Sequence, residues 1–231
     1  MAKAAHRSLG PNLSKAETIA GFCYLPFYLV LLSVILSYGA ALLGITMGTL
    51  TLNICYFTLN TIFIWIIFRR FLISSFRAIH FWDLVQAVIL GFALYYASNW
   101  LLSFLVSLLN LGITSFNDMT VQGLAVANPW VTIICTVFIA PVVEETLVRG
   151  LVFGSVRRKS RILAYVVSIL LFSLMHVWQY VPTQGLLPVL LAAVQYIPAS
   201  IALGWTYEKA GTIWAPIFLH MIINGIGMSL L

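Results

Sequence analysis

Charge is what this sequence has least of. Only 8% of its residues are Asp, Glu, Lys or Arg, against 62% hydrophobic residues, and the mean hydropathy is +1.04. So little polar surface cannot cover a soluble globule. Disulfide and metal frameworks are lacking as well. Cys23, Cys55 and Cys135 all lie in apolar runs, with no metal-ligand spacing and no pairing pattern, and read as small buried hydrophobes. No internal repeat, low-complexity tract or long linker divides the chain, so residues 1–231 read as a single membrane domain. The short basic N-terminus is not followed by a brief apolar core and a small-residue cleavage site. The run starting near Ile19 is too long for a signal peptide and reads as a retained first span. The net charge of +6 is not a nucleic-acid footprint, because the basic residues sit at the ends of apolar runs, where lipid head groups and topology account for them.

What the chain does have is long apolar runs. Seven are visible, at about 19–43, 49–68, 85–112, 127–156, 162–180, 185–207 and 212–231. They predict an all-α, polytopic membrane protein of about seven transmembrane helices, in contact with membrane lipids. Basic residues test the count. Lys3, Arg7 and Lys15 precede the first run, and Arg69, Arg70 and Arg77 follow the second. Arg157, Arg158, Lys159 and Arg161 follow the fourth, and Lys209 lies between the last two. The connections near 44–48, 113–126 and 181–184 carry no Lys or Arg. Seven spans therefore put eleven of the twelve basic residues on one side, which the positive-inside rule makes cytoplasmic, with the N-terminus inside and the C-terminus outside. The segment 69–84, with His80 and Asp83, reads as cytoplasmic interface, where aromatic and charged residues collect. The short loops and compact length suggest a bacterial plasma membrane.

The twelfth basic residue, Arg149, lies inside a span, close after Glu144 and Glu145 in PVVEETLVRG. Ionisable groups at membrane depth cost at least ~2.5 kcal/mol each and persist when they pair, line a cavity or perform chemistry. The others are His176, in FSLMH, and His220 with the polar Asn224, in LHMIING. Glu145 and Arg149 are four apart and share a helical face, so an ion pair is available and a structural role is favoured for both. Glu144 points about 100° away and is free to face the interior. At 1.5 Å per residue, Glu144, His176 and His220 lie ~18, ~21 and ~12 Å from the cytoplasmic ends of their helices. Three ionisable side chains from three helices thus meet at similar depth. Singly, each histidine could be an interhelical hydrogen-bonder; together with an unpaired Glu and an Asn they are the groups that activate water. A carboxylate can act as general base, imidazoles can shuttle a proton or donate to an oxyanion, and Asn can donate to the same oxyanion. Two His and one Glu (Glu144, His176, His220) are also a zinc ligand set. There is no HExxH, so zinc is permitted rather than required, and no cofactor is firmly implied. There is no GxSxG, and Ser155 and Ser173 read as packing residues without a base partner.

These residues resemble the three motifs of the CPBP family, the CAAX-protease and bacteriocin-processing (Abi) intramembrane peptidases. The match is Glu144-Glu145-x-x-x-Arg149, Phe172-x-x-x-His176 and His220-x-x-x-Asn224, with Trp-Ala-Pro before the last His, and it spans roughly residues 127–230. The resemblance implies that Glu144 activates water, that Glu145, Arg149 and Phe172 support it, that His176 and His220 complete the site, and that Asn224 stabilises the oxyanion. It implies an endopeptidase acting on a membrane-associated peptide or lipidated protein, of the kind that trims prenylated CAAX proteins or serves bacteriocin self-immunity. Members are described both as metalloproteases and as glutamate-dependent enzymes; the Asn where a third ligand would be wanted favours the second. Two other classes stay open. Buried Glu and His also make proton relays, so a proton-coupled transporter with spans broken at Pro141 and Pro198 is one. A non-catalytic immunity or scaffold protein that keeps the fold is the other. The spans before residue 127 carry no recognisable motif.

Overall fold

The computed structural model describes residues 9–230, and Lys3 and Arg7 lie outside them. The described chain is helical: α1 Lys15–Leu42, α2 Thr49–Arg77, α3 Phe81–Leu108, α4 Phe116–Ala127, α5 Pro129–Arg157, α6 Arg161–Met175, α7 Trp178–Gln184, α8 Leu186–Ala210 and α9 Trp214–Ser229. Local chemistry sets several ends. At α1 the Ser14 hydroxyl accepts from the Glu17 N–H while the Glu17 carboxylate accepts from the Ser14 N–H, a capping box. Ser160 caps α6 by accepting from the Leu163 N–H. Gly211, at φ +67°, closes α8 in the left-handed conformation that a side chain would resist.

Five helices, α1, α2, α3, α5 and α8, are long and apolar enough to cross a membrane, and α6 with α7 makes a sixth if that pair, bent by 44°, counts as one. The expectation of seven is met only in part. The run 162–180 is interrupted at His176 and Val177, and the run 212–231 yields a helix of 16 residues. Sixteen residues span ~24 Å, short of the ~30 Å hydrocarbon layer. The segment 69–84 forms no separate interfacial helix: α2 continues through Arg77 and α3 begins at Phe81. The polar connection 113–126 contains α4, a helix of 12 residues.

α5 is the hub. Its most apolar stretch is 61% buried, against at most 39% for the other candidate spans. Helices α1 and α2 pack on one flank and α6 and α9 on the other, while α8 runs along α3 and touches α6 and α9. Phe68, Phe71 and Leu72 of α2 interlock with Leu147, Leu151 and Phe153 of α5 in the main core. Val148, Phe172, Leu203 and Leu219 form a second core beneath the polar residues. The outer faces leave large apolar side chains such as Ile66, Trp100 and Leu108 exposed, the surface a lipid-embedded bundle presents.

Candidate active site

Four helices bring the polar side chains together: α5 supplies Glu144, Glu145 and Arg149, α6 Phe172 and His176, α8 Tyr196 and Ser200, and α9 His220 and Asn224. Glu145 and Arg149 are fully buried. One oxygen of Glu145, Oε1, accepts from Arg149 Nη1 at 2.9 Å and from His220 Nδ1 at 2.9 Å. Arg149 Nη2 donates onward to the Ser200 carbonyl at 3.2 Å and hydroxyl at 3.0 Å. The guanidinium lies 4.3 Å from the centre of the Phe172 ring. The ion pair is therefore braced by α6, α8 and α9 as well as by its own helix, which is the condition under which buried charges are tolerated.

These bonds set the histidines. A carboxylate accepts, so His220 Nδ1 carries the proton and Nε2 presents a lone pair when the ring is neutral. His176 Nδ1 bonds the Phe172 carbonyl at 2.7 Å, and a carbonyl also only accepts, so the same tautomer follows. That bond also ends α6. The His176 main-chain N–H turns to the Leu174 carbonyl, and the ring takes the Phe172 carbonyl that a continuing helix would have used. Both Nε2 atoms then face Glu144 Oε2, at 3.7 Å for His176 and 3.9 Å for His220. Oε2 is buried and has no protein hydrogen-bond partner. Three acceptor atoms turned toward one another call for a proton donor or a cation between them.

Asn224 is placed by a proline. The turns 134–139 and 146–153 of α5 are widened to π geometry. In the first, the Ala140 N–H bonds the Cys135 carbonyl, five residues back. The next residue, Pro141, has no N–H to give to Thr136. The Thr136 carbonyl instead accepts from Asn224 Nδ2 at 2.8 Å. One amide proton of Asn224 thus holds α9 to α5, and the second is left for other work.

Glu144, His176, His220 and Asn224 line a cavity of about 750 Å³ that extends between α3, α4 and α9. Glu144 and His176 also reach a second cavity of about 320 Å³ bordered by Tyr28 and Tyr56. The Tyr196 ring stacks on His176 at 4.5 Å and 23°. Sequence spacing singles out the Glu145–Arg149 pair but not Ser200, Tyr196 or the Glu145–His220 bond, whose partners lie 51 to 75 residues away or carry no charge. The donor types are those of hydrolytic zinc sites. Among the described residues, however, no group of three His, Cys, Asp or Glu side chains converges to hold a metal ion.

No curated protein and no solved structure matches the chain. Residues 126–226, which contain all of these motif residues, match the family model described as "Type II CAAX prenyl endopeptidase Rce1-like". This helical chain, with five helices long and apolar enough to cross a membrane, is therefore similar over its C-terminal part to the type II CAAX prenyl endopeptidase (Rce1-like) family.

Proposed function

We propose that the chain is an intramembrane endopeptidase in which Glu144 activates a water molecule, with residues 127–230 as its catalytic core. The observation that carries the reading is the buried, unpartnered Oε2 of Glu144 faced by two imidazole Nε2 atoms. A water can donate to Oε2 and to one Nε2 from that position. Glu144 removes its proton as the oxygen attacks the substrate carbonyl. The negative charge on that carbonyl is met by the free amide proton of Asn224 and by the imidazole to which Glu144 passes the proton it took from water. That imidazole then returns the proton to the leaving nitrogen as the C–N bond breaks, leaving an acid and an amine. Glu145 and Arg149 hold His220 in the working tautomer, and Phe172 supports Arg149 and His176.

The substrate is a membrane-associated peptide or lipid-tethered precursor, with prenylated proteins and bacteriocin-related peptides as the candidates the family suggests. The same inward set, two Nε2 lone pairs backed by Nδ1 bonds to an acceptor, also favours a second reading in which Glu144, His176 and His220 close on zinc. Bound there, the metal would supply Lewis-acid polarisation. The test is peptide cleavage by the purified protein, wild type beside Glu144→Gln and His220→Ala, with metal analysis and chelation. Each variant should lose at least ~100-fold in rate while still inserting and folding. The wild type should survive chelation; loss on chelation with recovery on adding zinc would transfer the reading to the metal. Full activity in both variants would end the peptidase reading.

A further inference from the structure

The larger cavity carries charge of one sign only. Its carboxylates are Glu144 and Asp118, and no Lys or Arg lines it. The sequence holds no Lys or Arg from residue 78 to 148, nor from 162 to 208. Asp118 lies in the first turn of α4 and is exposed. Its place is fixed by the start of that helix. The Ser115 hydroxyl hydrogen-bonds Gln195, and the Gln195 amide donates to the Thr114 carbonyl at 3.3 Å. Two rings that line the same cavity, Tyr95 and Tyr196, lie within electrostatic reach of Asp118. Tyr196 is the ring stacked on His176. A carboxylate bonded to Ser115 with no Lys or Arg beside it, in a cavity that Tyr95 and Tyr196 also line, is the chemistry that receives a cation. A role at the helix N-terminus alone would need neither the rings nor the cavity.

Resting on the peptidase reading of the Glu144 site, we propose that Asp118 is a specificity-determining residue that takes a Lys or Arg side chain of the peptide substrate, with Tyr95 and Tyr196 as its walls. Orientation agrees with this. The lining includes the end of α3, the 110–118 connection and the His176 end of α6, whereas the basic residues cluster at the opposite ends of the helices. A cationic peptide segment entering there meets two carboxylates and no Lys or Arg.

The test uses the full chain in detergent and a set of fluorogenic peptides that differ only in Lys, Gln or Glu beside the scissile bond. Wild type should show a kcat/KM about tenfold higher for Lys than for Gln. The ratio should fall toward one in Asp118→Asn, and Glu should be preferred in Asp118→Lys. Binding of the same labelled peptides to Glu144→Gln, by fluorescence anisotropy, should show the same charge ratio and the same dependence on Asp118. Equal cleavage and binding of Lys and Gln peptides overturns the proposal, as does a Lys preference that survives Asp118→Asn. Charge-dependent binding with no cleavage by wild type supports the cation site and overturns the peptidase reading instead.

Discussion

Glu145 Oε1 serves two partners at once, holding a guanidinium and an imidazole at the same 2.9 Å. Removing one partner of such a buried pair leaves an uncompensated charge. Arg149→Leu should therefore destabilise the protein by about 3–5 kcal/mol, read as thermal unfolding in detergent. Arg149→Leu combined with Glu145→Leu should regain much of that stability, because an apolar pair of similar volume suits the site. Activity should stay low in the double variant, since nothing then holds His220 Nδ1. A stable Arg149→Leu protein would show that the pair does not hold the fold, and an active double variant that it does not hold His220. Half of this arrangement is legible in the sequence. Four-residue spacing puts Glu145 and Arg149 on one face, and the rarity of charge in the spans marks His176 and His220. The bond from Glu145 to His220 crosses 75 residues, and the support from Ser200 and Tyr196 comes from residue types common in any helix. No local pattern announces those.

Among the helices, the apolar runs locate the elements well and their interruptions badly. Hydropathy sees side chains, whereas α6 stops because the His176 ring takes over a main-chain carbonyl, and α5 widens where Pro141 withholds an N–H. Close approach of helices is equally silent in hydropathy. α3 meets α8 at Gly91, where an added Cβ would lie 2.0 Å from Thr206 Oγ1 and 2.9 Å from Leu219 Cδ2. Thr206 cannot swing aside cheaply: its hydroxyl donates to the Ala202 carbonyl at 2.8 Å and it is β-branched. Gly91→Ala should push α3 outward and lower stability by about 1–3 kcal/mol. Gly39→Ala, where a Cβ meets nothing within 4 Å, should leave the unfolding temperature unchanged or slightly raised. Equal midpoints for the two variants would mean that α3 does not pack through Gly91. Because α3 also lines the larger cavity, Gly91→Ala should alter peptide KM more than it alters the chemistry at Glu144.

For the molecule as a whole, charge and cavity point in opposite directions along the bundle. Arg69, Arg70, Arg77, Arg157, Arg158, Lys159, Arg161 and Lys209 gather at one end. There Glu208 bonds Arg161 at 2.8 Å and Arg70 is paired with Glu17. The cavities and the Asn110–Asp118 segment lie toward the other end. Applied to this basic end, the positive-inside rule predicts that the cavities open toward the extracytoplasmic side. With α6 and α7 as a sixth crossing, the expected seventh would fall to α9, whose 16 residues would need a bilayer thinned around them. The orientation can be read by labelling. In a chain freed of Cys23, Cys55 and Cys135, a cysteine at Gly112, where a side chain meets open space, should react with a membrane-impermeant maleimide on intact cells. A cysteine at the exposed Lys159 should react only after lysis. The reverse pattern would put the chamber on the cytoplasmic face, and the substrate would then have to be a newly made cytosolic tail rather than a segment presented from outside. Labelling of both sites on intact cells would mean that α5 does not cross the membrane, since α5 alone separates the α4 end from Lys159.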